Sequence, residues 1–371
     1  MNAAAKKIRV LLVDVSSFMR KVLQTIVSSD PQMEVVGQAK DGNEAVAMAQ
    51  SLKPDVITMD INMPHLDGLQ ATEQIMSQNP RPIVIVSSET RDGAASTLVA
   101  LELGAIDFIS KPSSGIDLDM NSVGAEMNRK LKMAAKVRVV RTATRPKSPA
   151  SGAHREASAR PATESFVSDA TNGSRFPVVV IAASTGGPAA VMQLVAGIPK
   201  DLPAAVVLVQ HMPASFTSQF AVQLADATEI QVKEAVANEA LTPGIFYVCP
   251  GSHHMRISPK GRVVLDSGAR ISGYRPCADV AMETAAEWAG PLTTGVVLTG
   301  MGNDGSRGAQ AIYSGGGVVF VQDEATSVIF GMPAEVIKTG FVTQVLPLDQ
   351  IAAAIEKRVR QLVTIPQAVL R

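Results

Sequence analysis

Three side chains scattered along the sequence, Ser184, His211 and Asp304, could together break an acyl bond. Serine is a poor nucleophile at its own pKa and needs a base within hydrogen-bond reach. Histidine fits that role near neutral pH, and a carboxylate behind it fixes the tautomer and stabilises the imidazolium. The chain order Ser, His, Asp is no objection, because such sets are defined by geometry. Ser184 stands in Ala182-Ala183-Ser184-Thr185-Gly186-Gly187-Pro188, where A-x-S-x-G only approximates the G-x-S-x-G elbow. A serine before a helix is most often a plain N-cap, and it is the two partners further on that favour chemistry. The N–H of Thr185 and that of Met301, in the glycine-rich loop before Asp304, are the expected oxyanion donors.

The elements around these residues would bring them together. The run Val178 to Ala183 is β-branched and apolar, as in a strand buried on both faces, and breaks into a glycine-rich turn with Pro188 suited to a first helical turn. The strand expected over 204–209 ends just before His211, and that over 295–298 ends just before the loop carrying Asp304. In a doubly wound parallel sheet, three such ends share one edge. Further strands are expected over 318–321 and 342–346, with helices over 333–338 and 348–363. Three short stretches, 245–248, 255–257 and 262–265, read as an antiparallel insertion. A different reading fits the loop Gly300-Met301-Gly302-Asn303-Asp304-Gly305, which is literally G-x-G-x-x-G and is followed by Asp323, as in a dinucleotide site. That reading puts Asp304 where a pyrophosphate would lie and leaves Ser184 and His211 without work.

The N-terminal part repeats the strand-helix alternation, with strands expected over 8–13, 35–39, 56–59, 83–86 and 106–109. Polar residues follow several of these strands: Asp14, Asp60, Ser87 and Lys111. Two carboxylates, a hydroxyl and an ammonium at one edge could hold a hard cation through oxygens and accept a phosphoryl group. With Leu12-Val13-Asp14, Met59-Asp60-Ile61-Asn62-Met63-Pro64 through Gly68, Val86-Ser87-Ser88 and Asp107-Phe108-Ile109-Ser110-Lys111-Pro112, this segment resembles a response-regulator receiver domain of flavodoxin-like fold. The resemblance implies phosphorylation at Asp60. It implies Mg²⁺ held by Asp14, Asp60 and the main-chain carbonyl of Asn62, and a switch made of Ser87, Phe108 and Lys111. Receivers usually carry two adjacent acids after the first strand; here Val15 follows Asp14, which predicts weakened Mg²⁺ binding and slower phosphorylation.

Composition sets the outer limits. The 371 residues suggest two or three domains at about 150 residues each. Lys+Arg and Asp+Glu both total 34, so nothing asks for nucleic acid or an anionic membrane. No apolar run approaches a membrane span of ~20 residues, the sequence from Met1 lacks the pattern of a signal peptide, and two cysteines are too few for a disulfide framework. A cytoplasmic protein, expected to be a monomer, is the resulting picture. A helix is expected over 119–140, and the Ala, Ser, Thr, Pro and Arg of the next stretch read as a flexible tether in which His154 is idle. Cys249, His253 and His254 match no familiar zinc spacing, and His65 reads as surface.

The second half resembles the chemotaxis protein-glutamate methylesterases. The motifs that carry this are Ala183-Ser184-Thr185-Gly186-Gly187-Pro188, Val209-Gln210-His211-Met212-Pro213, Arg275-Pro276, Leu298 through Gly305, Gln322-Asp323-Glu324 and Phe330-Gly331-Met332-Pro333. The order of parts implied is a receiver over 6–136, a linker over 137–175 and a Rossmann-like doubly wound α/β catalytic domain over 176–365. The resemblance implies hydrolysis of γ-glutamyl methyl esters on chemoreceptors, with deamidation of particular glutamines, through an acyl-enzyme on Ser184. A histidine kinase is the implied phosphodonor, and the receiver is expected to cover the active face until Asp60 is phosphorylated. The catalytic domain is expected to need no cofactor, and Arg275 is offered as a substrate-side residue. A second functional class, a phosphorylation-controlled module that grips receptors without turnover, also fits the parts.

Overall fold

The computed structural model describes residues 6–88, 90–111, 120–137 and 175–364; most of the tether, with His154, lies outside them. The first unit contains β1 (Ile8–Val13), α1 (Ser17–Ser28), β2 (Met33–Ala39), α2 (Gly42–Leu52), β3 (Val56–Asp60), α3 (Gly68–Gln78), β4 (Ile83–Ser87), α4 (Arg91–Glu102), β5 (Asp107–Ser110) and α5 (Met120–Ala134). Its sheet is parallel, in the order β2-β1-β3-β4-β5, so the carboxyl ends of β1 and β3 are neighbours. The helix starts are set by side chains: Ser16, Asp41, Asp67 and Thr90 each accept a backbone N–H of the first turn, and Asp67 with Gln70 forms a full capping box. The helix expected over 119–140 is described for Met120–Ala134, and residues 138–140 lie outside the description.

The second unit runs β6 (Val178–Ala183), α6 (Gly187–Ala196), β7 (Ala205–Gln210), α7 (Ala214–Ala227), β8 (Gln231–Glu234), β9 (Ile245–Val248), β10 (His254–Ile257), β11 (Val263–Asp266), α8 (Ala278–Ala289), β12 (Thr293–Val297), α9 (Ser306–Ser314), β13 (Val318–Gln322), α10 (Met332–Lys338), β14 (Gln344–Leu346) and α11 (Leu348–Thr364). Seven strands form one parallel sheet in the order β14-β13-β12-β6-β7-β9-β8. β6 is central and every one of its residues is buried. It is flanked by β12 and β7, so the strands that end before Ser184, Asp304 and His211 are adjacent.

The structure corrects the insertion. Of the three stretches, the last two form the antiparallel hairpin β10–β11, Met255 opposite Leu265; β9 belongs to the main sheet, parallel to both β7 and β8. β8, Gln-Val-Lys-Glu, is a polar edge strand and gives little apolar signal in the sequence.

Candidate functional site

The turn after β6 holds Ser184 by its backbone. Its N–H donates to the Thr299 carbonyl at 3.1 Å, and its carbonyl accepts from Gly187 N at 2.8 Å and from Gln210 Nε2 at 2.9 Å. The N-cap of α6 is Gly186, at φ 74°, and no side chain caps this helix. Ser184 is therefore not an N-cap, and its hydroxyl is not consumed by the backbone. Gly186 is needed twice over: L-residues avoid that φ, and a Cβ there would lie 2.5 Å from Val328. Gly300 also approaches tightly, since a Cβ on it would come within 2.8 Å of the Ser184 Cβ. The loop after β12 is thus pressed against the serine, which places Met301 next to the residue touching it.

His211 follows β7 directly, and its Nε2 is 2.7 Å from Asp304 Oδ2. Asp304 is buried and accepts four further hydrogen bonds: Ala278 N at 2.6 Å on Oδ2, and Asp279 N at 2.9 Å, Gly305 N at 3.0 Å and Cys277 Sγ at 3.2 Å on Oδ1. Ala278 and Asp279 open α8, so the carboxylate also sits at the positive end of a helix. Burial works to raise the Asp304 pKa, but the hydrogen bond and charge of His211 and the two helix N–H groups outweigh it, and the carboxyl is held below its ordinary value. The neighbouring Cys277 thiol is pushed up to about 12 by burial and by this carboxylate, so it serves as a donor and not as a nucleophile.

Ser184, Thr185 and His211 line one cavity of about 620 Å³. No hydrogen bond joins Ser184 to His211, whose Nδ1 is buried without a partner. What fixes the imidazole on its face is Tyr274, with ring centroids 4.4 Å apart and planes 16° from parallel. Tyr274 Oη also reaches the Met301 carbonyl at 3.5 Å, tying the ring to the loop on the far side of the serine. Arg275 lines the cavity too, but its Nη1 donates to the Ser267 and Gly268 carbonyls at 2.8 and 2.7 Å, bracing the loop that carries Tyr274.

On the receiver edge, Lys111 Nζ lies 2.9 Å from Asp14 Oδ2 and 2.8 Å from Asp60 Oδ2. Burial raises the Asp60 pKa, the Lys111 hydrogen bond opposes this, and the Asp14 charge adds to it. Burial disfavours the Lys111 ammonium, yet its hydrogen bonds to the two carboxylates outweigh that and its pKa rises. Ser87 turns away, donating to the Gly93 carbonyl at 3.2 Å. Phe108 is buried against Phe216 of the second unit, centroids 4.4 Å apart. Beside it, Asp107 accepts from Thr185 Oγ1 at 2.5 Å, and Gln223 of α7 donates to Glu102 of α4. The receiver unit therefore sits on the face that carries Ser184.

Comparison with known proteins matches residues 179–355 to the CheB methylesterase family and residues 10–121 to the response regulator receiver domain. The protein-glutamate methylesterase/protein-glutamine glutaminase of Pyrococcus horikoshii is 42% identical over 372 residues, covering 97% of this chain and 95% of that protein. The chain belongs to the CheB methylesterase family. The Thermotoga maritima relative of the same name is 42% identical over 347 residues, covering 93% of this chain and 96% of its own length. The crystal structure of the Thermotoga maritima CheB methylesterase catalytic domain is 39% identical and spans 50% of this chain and 99% of that one, with a TM-score of 0.48.

In this CheB-family chain the G-x-G-x-x-G loop is no phosphate cradle: Gly300 is filled against Ser184 and Met332, and Asp304 is buried among its donors. The other motif residues are also accounted for. His253 Nδ1 pairs with Ser252 Oγ at 2.8 Å and His254 Nε2 with the Ala269 carbonyl at 3.1 Å, while Cys249 and Cys277 are free and buried and His65 is exposed. Among the described residues no helix is long and apolar enough to cross a membrane. Sequence reasoning missed Tyr274, Cys277 and Asp107. Tyr274 was findable only through its neighbours Arg275-Pro276, since no spacing rule ties it to His211. Removing its ring should cost the face contact, worth about 0.5–1.5 kcal/mol. Tyr274→Ala is therefore expected to lower kcat about 2- to 10-fold and Tyr274→Phe to leave it nearly unchanged, in initial rates of methanol release.

Proposed function

We propose that this chain hydrolyses γ-glutamyl methyl esters of chemoreceptors, and deamidates receptor glutamines, with Ser184 as nucleophile, His211 as base and Asp304 as its orienting partner. The observation that supports this most is the division of the imidazole: Nε2 is committed to Asp304, and Nδ1 is left unpaired beside the cavity that Ser184 lines. In the reaction the Ser184 oxygen attacks the ester carbonyl while its proton passes to Nδ1. The N–H groups of Thr185 and Met301 receive the developing oxyanion. Methanol leaves with the proton from His211, and water, activated by the same nitrogen, releases glutamate. With a glutamine side chain ammonia is the leaving group. The absence of a serine–histidine hydrogen bond in the docked form is no obstacle, because such bonds often tighten only with substrate present.

The catalytic domain, over 176–365, is controlled by the receiver, over 6–136. Phosphorylation of Asp60 by a histidine kinase draws Lys111 and the Ser87 hydroxyl to the phosphate. Ser87 then leaves Gly93, and Phe108 leaves Phe216 for the space so opened. The donor set suits Mg²⁺: Asp14 and Asp60 are both buried and one ammonium serves them both, so an excess of negative charge faces the same point. Asp14, Asp60 and the Asn62 carbonyl would hold the ion, which supplies charge neutralisation for phosphoryl transfer. Val15, 46% exposed, offers no oxygen where a second acid would stand.

Methanol release from methylated receptor membranes, with and without a small phosphodonor, tests the whole reading. Release should rise with the donor, and Asp60→Asn should abolish the rise; no release in either state would end the proposal. For Val15→Asp, the Mg²⁺ concentration giving half-maximal activation should fall about tenfold, since affinity follows the number of charged ligands.

A further inference from the structure

The receiver does more at the catalytic face than pack Phe108 against Phe216. It brings a carboxylate into the cavity. Asp107 lines the same space as Ser184 and His211, and its Oδ2 accepts the Thr185 hydroxyl, one residue from the nucleophile. The other oxygen, Oδ1, is clamped on the receiver side by Lys130 Nζ at 3.1 Å and the Phe108 N–H at 2.7 Å. Asp107 is 7% exposed, so this is a desolvated carboxylate, and desolvating one is costly unless it is specifically bound. An apolar contact alone would have covered the site without that cost.

The hydrolysis proposed above leaves a carboxylate of its own, the γ-carboxylate of glutamate, beside Ser184. We infer that the Thr185 hydroxyl is the subsite that binds the substrate's γ-carboxyl group, and that the receiver inhibits by seating Asp107 there as an internal analogue of the product. This rests on the proposed reaction. Its consequence separates it from simple shielding. A cavity of about 620 Å³ remains between the two units, ample for a small reagent. A receiver that only shields against a bulky receptor would let such a reagent reach Ser184; a receiver that occupies the carboxyl subsite would not.

The full-length, unphosphorylated chain can be treated with a small fluorophosphonate and labelling of Ser184 followed by mass spectrometry. In the labelling step the serine oxygen–phosphorus bond forms, the phosphorus–fluorine bond breaks, fluoride leaves and the serine proton passes to His211. The wild-type chain should label slowly. Asp107→Ala should label at least about tenfold faster while small-angle scattering shows no expansion, and N-acetylglutamate should slow that labelling by competing for the vacated subsite. Asp107→Ser, which keeps an acceptor near the Phe108 N–H but is too short to fill the subsite, guards against a folding defect and should also label faster. Unchanged labelling in both variants overturns the inference, as does faster labelling that appears only with expansion, which would make Asp107 a latch. Failure of the phosphorylated wild-type chain to label at Ser184 would instead remove the nucleophile on which the reading rests.

Discussion

Ser184→Ala is expected to lower phosphodonor-stimulated methanol release by about 10⁴- to 10⁶-fold, because the nucleophile and base of such a set act as a unit and loss of either costs nearly the whole. The structure makes this a clean experiment. The Ser184 backbone is held by Thr299, Gly187 and Gln210, none of which uses its hydroxyl, and the Cβ that packs on Gly300 is retained in alanine. Thermal stability should therefore be unchanged within about 0.5 kcal/mol, as for a substitution that removes no packing or hydrogen bond. Binding to methylated receptors should persist, since the receptor-facing surface is the same. His211→Ala should fall to a similar rate, and the double variant no further. Turnover above about 1% of wild type in Ser184→Ala would mean that Ser184 is not the nucleophile.

How much of this was readable beforehand depended on where each residue lies along its strand. Ser184 and His211 come directly after the buried runs of β6 and β7, and Asp304 follows β12 by a short loop. Alternation of apolar strands and helices therefore fixes the edge they share. The same logic places Asp14 and Lys111 just past the ends of β1 and β5, and Asp60 and Ser87 at the last positions of β3 and β4. What the sequence could not carry is contact between elements with no common period. Tyr274 reaches His211 from a loop braced by Arg275, and Phe108 meets Phe216 across two separate sheets. The place of β9 escapes the sequence for a related reason: four apolar residues between turns look alike whether they pair with a hairpin or join a large sheet. Its register with Val206, Val207 and Leu208 is a tertiary fact.

The docking contacts bear on how the switch is set. Phe108 and Asp107 are consecutive on β5, one stacked on Phe216 and the other bonded to Thr185, so any movement of β5 acts on both at once. Lys111 lies one residue past the end of that strand and is held by Asp14 and Asp60. Under the proposed regulation, a phosphoryl group on Asp60 would change what Lys111 must neutralise. The β5 residues that touch the catalytic domain lie on the same short stretch of chain as that ammonium. A tethered domain faces its partner at high effective concentration, so contacts of modest strength suffice to keep it docked. A change of only a few kcal/mol is then enough to release it.

Asp304→Asn should be nearly as damaging as loss of the serine and, unlike it, should also destabilise the protein. Both carboxylate oxygens face donors only: Oδ2 receives Ala278 N and His211 Nε2, and Oδ1 receives Asp279 N, Gly305 N and Cys277 Sγ. An asparagine must point its NH₂ at one of these groups. Turned toward Asp279 and Gly305 it leaves two buried N–H donors unpaired, at about 1–3 kcal/mol each. Turned toward Ala278 and His211 it forces the imidazole to present a lone pair at Nε2 and carry its proton on Nδ1, the nitrogen that has to accept the proton of Ser184. The second orientation should lower kcat about 10⁴-fold through loss of the correct tautomer, and both remove the negative charge behind the imidazole, with a stability loss of about 2–4 kcal/mol measurable by denaturant unfolding. The pH dependence gives an independent check. Because the folded pKa of Asp304 lies below its ordinary value of 3.8, its ionic contribution is complete above that value and is lost as pH falls through the lower folded one. The stability gap between wild type and Asp304→Asn should therefore be constant near neutrality and narrow in strong acid. A variant within tenfold of wild-type kcat would mean that the carboxylate serves only to cap α8.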